Sequence, residues 1–357
     1  MRFFYGLVLL LLTYFISNKN ISPKTFESVD IEVIREDSLL NIRAIEYVKE
    51  LNTLIYLTSD GRLGILSELK MNLPKDYPKP KEETYLKKIN DSLTPNFRAL
   101  SARERHGFGI SIGNPAAVYK LDFDNDSTVY QENHPKVFYD SMEFWNDDEG
   151  IAIGDPTDDC MSIIITRDGG NSWQKLSCDQ LPKAKEGEAA FAASDTNIAI
   201  VEDHTWVATG GKASRILYSP DKGKSWKVYD TPIIQGKETT GIYSVDFYDE
   251  NNGFAIGGDY TKPNDTYNNK IRTDDGGKTW EVVANNQSPG YRSCIQYVPN
   301  SNTKGLVAIG YKGIDYSADA GETWTHLSDE GFYTIRFIDD STAYAAGKGQ
   351  IAKLSFN

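Results

Sequence analysis

The sequence has few of the residues that bind metal ions, with four histidines and three cysteines among 357 residues. His106, His134, His204 and His326 lie far apart and show none of the spacings that zinc sites use. This distribution argues against a zinc enzyme. We predict no metal site and no bound cofactor.

An excess of positive charge is also missing. The formal net charge is −13, and lysine and arginine are scattered along the chain rather than clustered in a stripe. Such a surface repels a phosphate backbone, so we do not expect nucleic acid as a partner. Solubility is a sufficient explanation for the acidic charge.

Long apolar segments are scarce, and long helical periodicity is hard to find. The one long apolar run, Phe3 to Ile16, follows Met1 and Arg2 and ends before the polar residues 17–20. It has the length of a signal peptide and is too short for a comfortable transmembrane span. We therefore expect an exported protein that is periplasmic, associated with the cell envelope or secreted. Residues 1–20 are predicted to be a signal peptide or, if uncleaved, an N-terminal membrane tether.

Glycine and aromatic residues, by contrast, are plentiful. The chain has 29 glycines, 21 tyrosines and 15 phenylalanines, and several glycines follow Asn, Asp or another Gly. This mixture is typical of short strands that alternate with tight turns. The composition predicts an all-β protein, and the length is compatible with one large β architecture.

One eight-residue pattern occurs four times, at 166–173, 219–226, 273–280 and 317–324. Each copy reads Ser/Thr, any residue, Asp, any, Gly, any, Ser/Thr, Trp, and we call these copies the Asp boxes. The steps between them are 53, 54 and 44 residues, each close to the length of one four-stranded propeller blade.

Each residue type in an Asp box has a predicted structural task. The Asp and hydroxyl side chains should bond backbone groups of a hairpin turn, Gly should supply a positive φ, and Trp should bury a large surface between sheets. We therefore interpret the boxes as structural rather than as a metal or substrate site. The residues concerned are Asp168, Gly170, Trp173, Asp221, Gly223, Trp226, Asp275, Gly277, Trp280, Asp319, Gly321 and Trp324.

The same order of strands recurs around the boxes and, more weakly, before them. We predict a single propeller domain over 29–357 with seven four-stranded antiparallel blades; the alternative is a six-bladed, sialidase-like propeller. The last blade has room for three strands, and Val29 to Ile34 can supply the fourth, which would remove exposed edges. The predicted blades span 42–70, 97–132, 137–178, 188–230, 241–284, 291–328 and 332–356, with Lys70 to Lys88 as a surface excursion.

Two of the three cysteines are placed symmetrically about a predicted turn. Cys160 and Cys178 are equally distant from Gly169 in the first Asp box, so their thiols should face each other across the hairpin. In an oxidising compartment they can form a disulfide; the alternative is a pair of small buried hydrophobic residues. Cys294 has no evident partner.

The Asp boxes, also called BNR repeats, are shared with sialidases and other propellers, whereas the segments between them are more specific. These segments are 144–156, 187–194, 231–234, 257–260 and 290–293. The chain resembles the bacterial proteins similar to the photosystem II stability and assembly factor, over roughly residues 30 to 357. The resemblance implies a propeller that escorts or contacts other proteins. Relatives of this kind often carry an "oxidoreductase" label, for which we find no supporting residues here.

A sialidase-like glycoside hydrolase is the main enzymatic alternative. Such an enzyme would need three arginines for a substrate carboxylate, a Tyr nucleophile with a Glu partner, and an acid Asp. Residues of the right types exist, although the Phe-Arg-Ile-Pro segment typical of sialidases is missing. The candidates are Arg98, Arg215, Arg292, Tyr291, Glu188 and Asp155.

The face opposite the Asp boxes is the predicted binding surface, because function in propellers usually gathers around the mouth of the channel there. Mixed charges and tyrosines at that mouth suit a polar peptide or glycan; the alternative is a water-filled channel whose residues pair with one another. We favour a non-catalytic, monomeric platform that binds protein, with hydrolase and oxidoreductase as alternatives. The predicted binding residues are Arg98, Asp155, Asp158, Glu188, Arg215, Asp259, Tyr260, Tyr291 and Arg292.

Overall fold

The computed structural model describes residues 24–67, 83–86, 94–104, 106–121 and 127–357. The predicted signal peptide or tether at 1–20 lies outside these residues. So does most of the predicted excursion at 70–88, of which 83–86 form a strand. No helix within the described ranges has the length and apolar character that a membrane crossing requires.

The described chain is built from 29 short β-strands and one turn of 3₁₀ helix at Lys49–Leu51. The strands before the third Asp box are β1 (Val29–Val48), β2 (Thr53–Thr58), β3 (Arg62–Ser67), β4 (Glu83–Leu86), β5 (Asn96–Ala102), β6 (Gly107–Ile112), β7 (Ala116–Leu121), β8 (Ser127–Glu132), β9 (Tyr139–Phe144), β10 (Gly150–Gly154), β11 (Ser162–Thr166), β12 (Gln174–Lys175), β13 (Glu188–Ala189), β14 (Ile198–Val201), β15 (His204–Ala208), β16 (Gly210–Gly211), β17 (Arg215–Ser219), β18 (Lys227–Asp230), β19 (Thr240–Phe247), β20 (Gly253–Asp259) and β21 (Lys270–Thr273). The remaining strands are β22 (Glu281–Val282), β23 (Cys294–Tyr297), β24 (Leu306–Gly310), β25 (Gly313–Ser317), β26 (Thr325–Ser328), β27 (Thr334–Phe337), β28 (Thr342–Ala346) and β29 (Lys348–Phe356).

These strands form antiparallel sheets that follow one another along the chain. Four sheets have four strands each: β5–β8, β9–β12, β14-β15-β17-β18 and β23–β26. In the sheet that contains β19–β22, the short strands β13 and β16 add to the edge of β19. The sixth sheet has seven strands in the order β27-β28-β29-β1-β2-β3-β4.

The hydrophobic core lies between successive sheets. One buried cluster joins Phe108 of β6 to Phe144 of β9, and another joins Val207 of β15 to Ile153 of β10. A further cluster joins Ile309 of β24 to Leu354 of β29. Each sheet therefore packs face to face on the next, and the last sheet contains the first strand. This is the radial arrangement of a β-propeller with four-stranded antiparallel blades.

Strand β1 joins the first and last strand groups of the described chain. Its first part pairs with β29 from Val29 opposite Phe356, which confirms that residues 29–34 complete the last predicted blade. Its second part, from Ile42 to Val48, pairs with β2. Because β1 runs without a break between these partners, the first and last strand groups share one sheet. The structure thus has six sheets, which agrees in number with the six-bladed alternative and corrects the prediction of seven separate ones.

The Asp boxes form the turns between third and fourth strands, and their polar side chains bond as predicted. In the first box the Gly170 N–H donates to Thr166 Oγ1 at 2.9 Å, and the Ser172 N–H donates to Asp168 Oδ1 at 2.9 Å. The same two bonds recur in the other boxes. The glycines at 170, 223, 277 and 321 have φ between 75° and 87°. Three of the four tryptophans donate their indole N–H to the glycine carbonyl of their own box.

Cys160 and Cys178 form a disulfide with a Cα–Cα distance of 5.4 Å. They flank the hairpin β11–β12 at the end remote from the Asp-box turn, as the symmetric spacing indicates. Cys294 is buried and unpaired. The bond therefore decides between the two interpretations that the sequence left open for this pair.

Candidate functional site

The propeller has two unlike faces. The Asp-box turns lie on one, which we call the box face, and the turns between second and third strands lie on the other, the funnel face. Tyr260 and Tyr267 lie between β20 and β21, and Tyr311 between β24 and β25, so all three are on the funnel face. Their exposed fractions are 49%, 56% and 41%. This face therefore presents large aromatic side chains to solvent.

A cavity of about 700 Å³ lies at the centre of the funnel face, where innermost strands of several sheets begin. Phe191 stacks on Tyr243 with ring centroids 4.0 Å apart, and Tyr291 meets Tyr243 edge-on at 4.7 Å. We call this cavity the tyrosine basin. Its aromatic lining consists of Phe138, Phe191, Tyr243, Tyr260, Tyr291, Tyr311 and Tyr333.

Two arginines line the tyrosine basin. Arg43 and Arg98 occupy the same place in two similar pentads, Asn-Ile-Arg-Ala-Ile at 41–45 and Asn-Phe-Arg-Ala-Leu at 96–100. The Arg43 guanidinium lies 4.3 Å from the centroid of the Tyr333 ring, and its Nη1 donates to the Ala193 carbonyl at 3.2 Å. Each pentad contributes to an innermost strand, which is why the two side chains reach the same cavity.

Several N–H groups of these arginines form no hydrogen bond with the described residues. Nε of Arg43 and both Nε and Nη1 of Arg98 are buried and have no hydrogen-bond partner among the described residues. Burial, aided by the charge of Arg43, lowers the pKa of Arg98 to about 10, so the group is still protonated at neutral pH. A buried donor without a partner is costly, and an acceptor group placed here would relieve that cost.

Two carboxyl groups complete the basin and its surroundings. Asp155 lines the cavity and accepts the Ala190 N–H at 2.9 Å; burial raises its pKa to about 6. Asp140 is fully buried, and burial together with the charge of Asp155 raises its pKa well above the usual range. Within the described ranges, neither arginine forms an ion pair with a carboxylate within 4 Å. The positive charge of the basin is therefore not neutralised by a direct contact.

The structure brings only some of the predicted binding residues together. Arg98, Asp155, Tyr260 and Tyr291 line the tyrosine basin. An adjoining groove of about 520 Å³, which shares Asp155 with the basin, is lined by Asp158 and Glu188. The backbone positions of these six residues agree with the predicted face, but the Glu188 side chain is buried and paired with Arg215 rather than displayed. Arg215, Arg292 and Asp259 also depart from the prediction.

The structure corrects the prediction that Arg215, Arg292 and Asp259 are displayed on this face. Arg215 is buried and bonds Glu188 with both ends of its guanidinium, at 3.0 and 2.5 Å. Arg292 is buried against Asp315 at 2.6 Å. The buried Asp259 carboxylate accepts the Thr261 hydroxyl at 2.6 Å and shapes the turn after β20. Buried ion pairs of this kind hold strands together and leave no charge for a ligand.

This arrangement does not support a sialidase-like site. Of the three candidate arginines only Arg98 faces the cavity, and Glu188 is bound to Arg215 rather than to Tyr291. Burial raises the pKa of the Tyr291 phenol, whereas a nucleophile needs a lower pKa or a base beside it. Among the described residues, no group of three His, Cys, Asp or Glu side chains could hold a metal ion.

A segment of the chain crosses the channel below the basin and separates the basin from the rest of the channel. We call residues 190–197, between β13 and β14, the axial plug. They replace the first half of an innermost strand, so that strand begins at Ile198 instead of near 188. Asp195 adopts a positive φ of 59°, which Asp tolerates better than most residues, and its carboxylate points back towards two other sheets.

The axial plug hydrogen-bonds the innermost strands of several other sheets. The Asp195 carboxylate accepts the Leu100 N–H of β5 at 2.7 Å and the Met142 N–H of β9 at 3.0 Å. Ser194 donates to the Ser293 carbonyl at 2.6 Å, and its own carbonyl accepts from Thr334 of β27. Such contacts from different directions place the plug on the propeller axis.

Sequence reasoning missed Arg43, Tyr243, Tyr311 and Tyr333 in the basin, as well as the axial plug. Two signals were present. The repeated pentads at 41–45 and 96–100 mark equivalent strands, and the segment 187–194 carries part of the family resemblance. Neither signal states where the side chains meet, because that depends on how the sheets are arranged around the axis.

Comparisons with known proteins give similarity in structure alone, since no protein-family model and no curated protein matches the sequence. A structure titled "YCF48 bound to D1 peptide" superposes with a TM-score of 0.63 and 13% identity, covering 96% of this chain and all of that one. YCF48 from Cyanidioschyzon merolae gives a TM-score of 0.64 at 11% identity, covering 92% and 99%. The WD40 repeats of RRP9 give 0.61 at 9% identity, covering 94% and 99%. The chain thus has the propeller fold of the photosystem II assembly factor, as the sequence resemblance implied.

Proposed function

We propose that the protein is a non-catalytic platform that binds a protein partner, or assists the assembly of a complex, through the tyrosine basin on its funnel face. The observation that carries this proposal is the basin itself, an open aromatic cavity whose two arginines have N–H groups without partners. Aromatic walls around a few polar groups are typical of recognition sites.

The partner is expected to insert an extended segment that carries an acceptor group, such as a carboxylate, near Arg43 and Arg98. Arginine binds carboxylates with paired N–H bonds, and the low water content of a cavity strengthens such bonds. The structure titled "YCF48 bound to D1 peptide" supports a peptide or protein partner, because a propeller of similar fold is bound to a peptide in that structure. Exposed tyrosines around the basin add area for the rest of the segment.

Segments that distinguish this chain from other propellers converge on the same site. Asp155 belongs to the segment 144–156, and Ala189 to Ala193 belong to 187–194. Tyr260 is the last residue of 257–260, and Tyr291 is the second residue of 290–293. This convergence favours a role for the basin over a role for the box face, whose turns bond within themselves.

We place this activity outside the cytoplasm and expect the protein to act as a monomer. The apolar run at 3–16 is one support for export, and the Cys160–Cys178 disulfide is another, since such bonds persist in oxidising compartments.

We also propose that the seven-stranded sheet works as two four-stranded blades that share β1. The register between β1 and β29 shifts between Glu36 and Asn41, and pairing with β2 begins at Ile42. A buried cluster that joins Tyr56 to Tyr344 packs the two halves on each other, as other clusters pack separate sheets. A propeller of seven blades is therefore compatible with six hydrogen-bonded sheets, if two blades share β1.

Site-specific photo-crosslinking tests the proposed function. A benzoylphenylalanine at Tyr260 on the funnel face should give an adduct with one reproducible protein in the cell envelope, whereas the same group at Lys278 in an Asp-box turn should not. Replacing both Arg43 and Arg98 by Gln should remove the adduct at Tyr260. Equal adducts from both faces, or an adduct that survives the double substitution, would contradict the proposed site.

A further inference from the structure

The half of the channel on the box-face side contains a second cavity, of about 380 Å³, which we call the acidic chamber. Its wall includes the carboxyl groups of Glu143, Asp195 and Asp246 and the guanidinium groups of Arg103 and Arg336. A fourth carboxyl, that of Glu46, accepts from Arg336 Nε at 2.9 Å. Fully ionised, these groups carry four negative charges against two positive ones.

Most of these carboxyl groups are held by backbone N–H groups rather than by the arginines. Glu143 accepts the Phe144 N–H at 2.9 Å, and Asp246 accepts the Tyr297 N–H of the neighbouring sheet at 2.7 Å. The repulsion among the carboxylates is therefore not cancelled pairwise. Burial, with the charge of Glu46, raises the pKa of Glu143 to about 7, and burial raises that of Asp246 to about 6.

The axial plug is the shared wall of the two cavities. Its residues up to Ala193 line the tyrosine basin, and Asp195 and Thr196 line the acidic chamber, with Ser194 between them. Asp195 bonds two sheets through its carboxylate, and its carbonyl accepts from Arg336 at 3.3 Å. A change of charge in the chamber therefore acts on the same short segment that forms the floor of the basin.

We propose that the acidic chamber and the axial plug form a pH-sensitive device, in which loss of protons from the chamber loosens the plug and with it the floor of the tyrosine basin. The groups that face Glu143 are Glu46 of β1, Asp195 of the plug, Asp246 of β19, Arg336 of β27 and Arg103 after β5. This proposal does not depend on which partner the basin binds.

The direction of the effect follows from the raised pKa values. A carboxyl group whose pKa is higher in the folded than in the unfolded state binds its proton more tightly when folded. Its contribution to the stability of the folded plug is present below pH 4 and is lost as the pH rises through about 6 to 7. We therefore expect a tight plug under mildly acidic conditions and a looser one above neutral pH.

Hydrogen exchange of the full chain without any ligand tests the proposal. Protection factors of amides in residues 190–197, corrected for the chemical exchange rate, should fall at least tenfold between pH 5.5 and pH 8, because Glu143, with a pKa of about 7 in the folded protein, loses most of its proton in this range. Glu143→Gln should remove most of this fall, and Asp246→Asn provides a second variant. Glu202→Gln, an exposed carboxyl at the chamber rim, is the matched control and should keep the wild-type response.

Two results would overturn the proposal. One is equal protection of the plug at both pH values in the wild type. The other is a fall in protection that does not depend on the chamber and the plug. Such a fall would persist in both Glu143→Gln and Asp246→Asn, or would affect the amides of all sheets equally and so report global stability. Since no partner is used, either result leaves the photo-crosslinking test of the basin independent.

Discussion

Both the Asp boxes and the axial plug provide hydrogen-bond partners for backbone N–H groups. The boxes do so with residues that are close in sequence, and the plug with residues that are far apart. In an Asp box the bonds of the Asp and hydroxyl side chains stay within eight residues, as between Gly170 and Thr166. In the plug, Asp195 bonds Leu100 and Met142, which are 95 and 53 residues away in sequence. A turn with local hydrogen bonds can recur in several blades, whereas the long-range contacts of the plug depend on its single position among the sheets.

The comparison predicts that Asp195→Ala has the largest effect on stability. It leaves two buried backbone N–H groups without acceptors, which should lower the free energy of unfolding by about 4 kcal/mol. Chemical denaturation measures the loss. Asp195→Asn tolerates the positive φ but keeps an acceptor for only one of the two N–H groups, because the carboxylate uses a different oxygen for each. Asp195→Glu keeps both oxygens on a longer side chain, so the order of the three variants tests the hydrogen bonds; equal stability of Asp195→Ala and the wild type would contradict their contribution.

Removal of the disulfide should have the second largest effect on stability. The Asp box holds one end of the hairpin β11–β12 with local hydrogen bonds, and the disulfide holds the other end. Replacing Cys160 and Cys178 by Ala should lower the free energy of unfolding by about 3 kcal/mol, the loop-closure contribution for a loop of this length. Thermal unfolding with and without a reductant checks it. The double variant should be insensitive to the reductant, and a wild type that is equally insensitive would speak against the bond.

A single Asp box should contribute less. Asp275→Ala removes the acceptor of the Lys278 and Thr279 N–H groups in a turn exposed to solvent, so water replaces part of the loss. We expect a decrease of about 1 kcal/mol in the free energy of unfolding. Photo-crosslinking at Tyr260 should be unchanged, since the box lies on the other face. A loss of crosslinking without a loss of stability would contradict a purely structural role.

The smallest effect on stability, and the largest on binding, is expected for the basin arginines. Replacing Arg43 and Arg98 by Gln removes two like charges and three buried N–H groups without partners, but also the Arg43 bond to Ala193 and its contact with the Tyr333 ring. Because these effects oppose each other, the free energy of unfolding should stay within about 0.5 kcal/mol of the wild type. Crosslinking at Tyr260 should disappear. Arg35→Gln, on the outer part of β1, is the control and should leave crosslinking intact.

The arrangement of the sheets was predicted to the extent that local patterns define it. Box spacing, alternating strands and the closing strand at 29–34 were visible in the sequence, and each depends on residues that are near one another along the chain. The number of sheets could not be predicted from the sequence, because it depends on whether β1 is interrupted near residue 41. The residue types at 37–41 do not indicate that one continuous strand pairs first with β29 and then with β2.

The candidate site was predicted in part, and the errors share one cause. Residue type and strand order placed Arg98, Asp155, Tyr260 and Tyr291 on the correct face. They also placed Arg215 and Arg292 there, because their partners Glu188 and Asp315 are on other strands. An arginine beside a carboxylate is a buried ion pair, and one without a carboxylate can serve a ligand. That difference depends on contacts across sheets, so strand order alone does not reveal it.

The sequence by itself determined the repeating unit: an eight-residue turn with every donor and acceptor inside it forms wherever its residues occur, because the bonds are local. Only the tertiary structure decided what stands on the axis, since the plug and the tyrosine basin exist where strands from several sheets meet. Side chains far apart along the chain become neighbours there through the closure of the propeller, and the free energy that holds them is shared among all the sheets they touch.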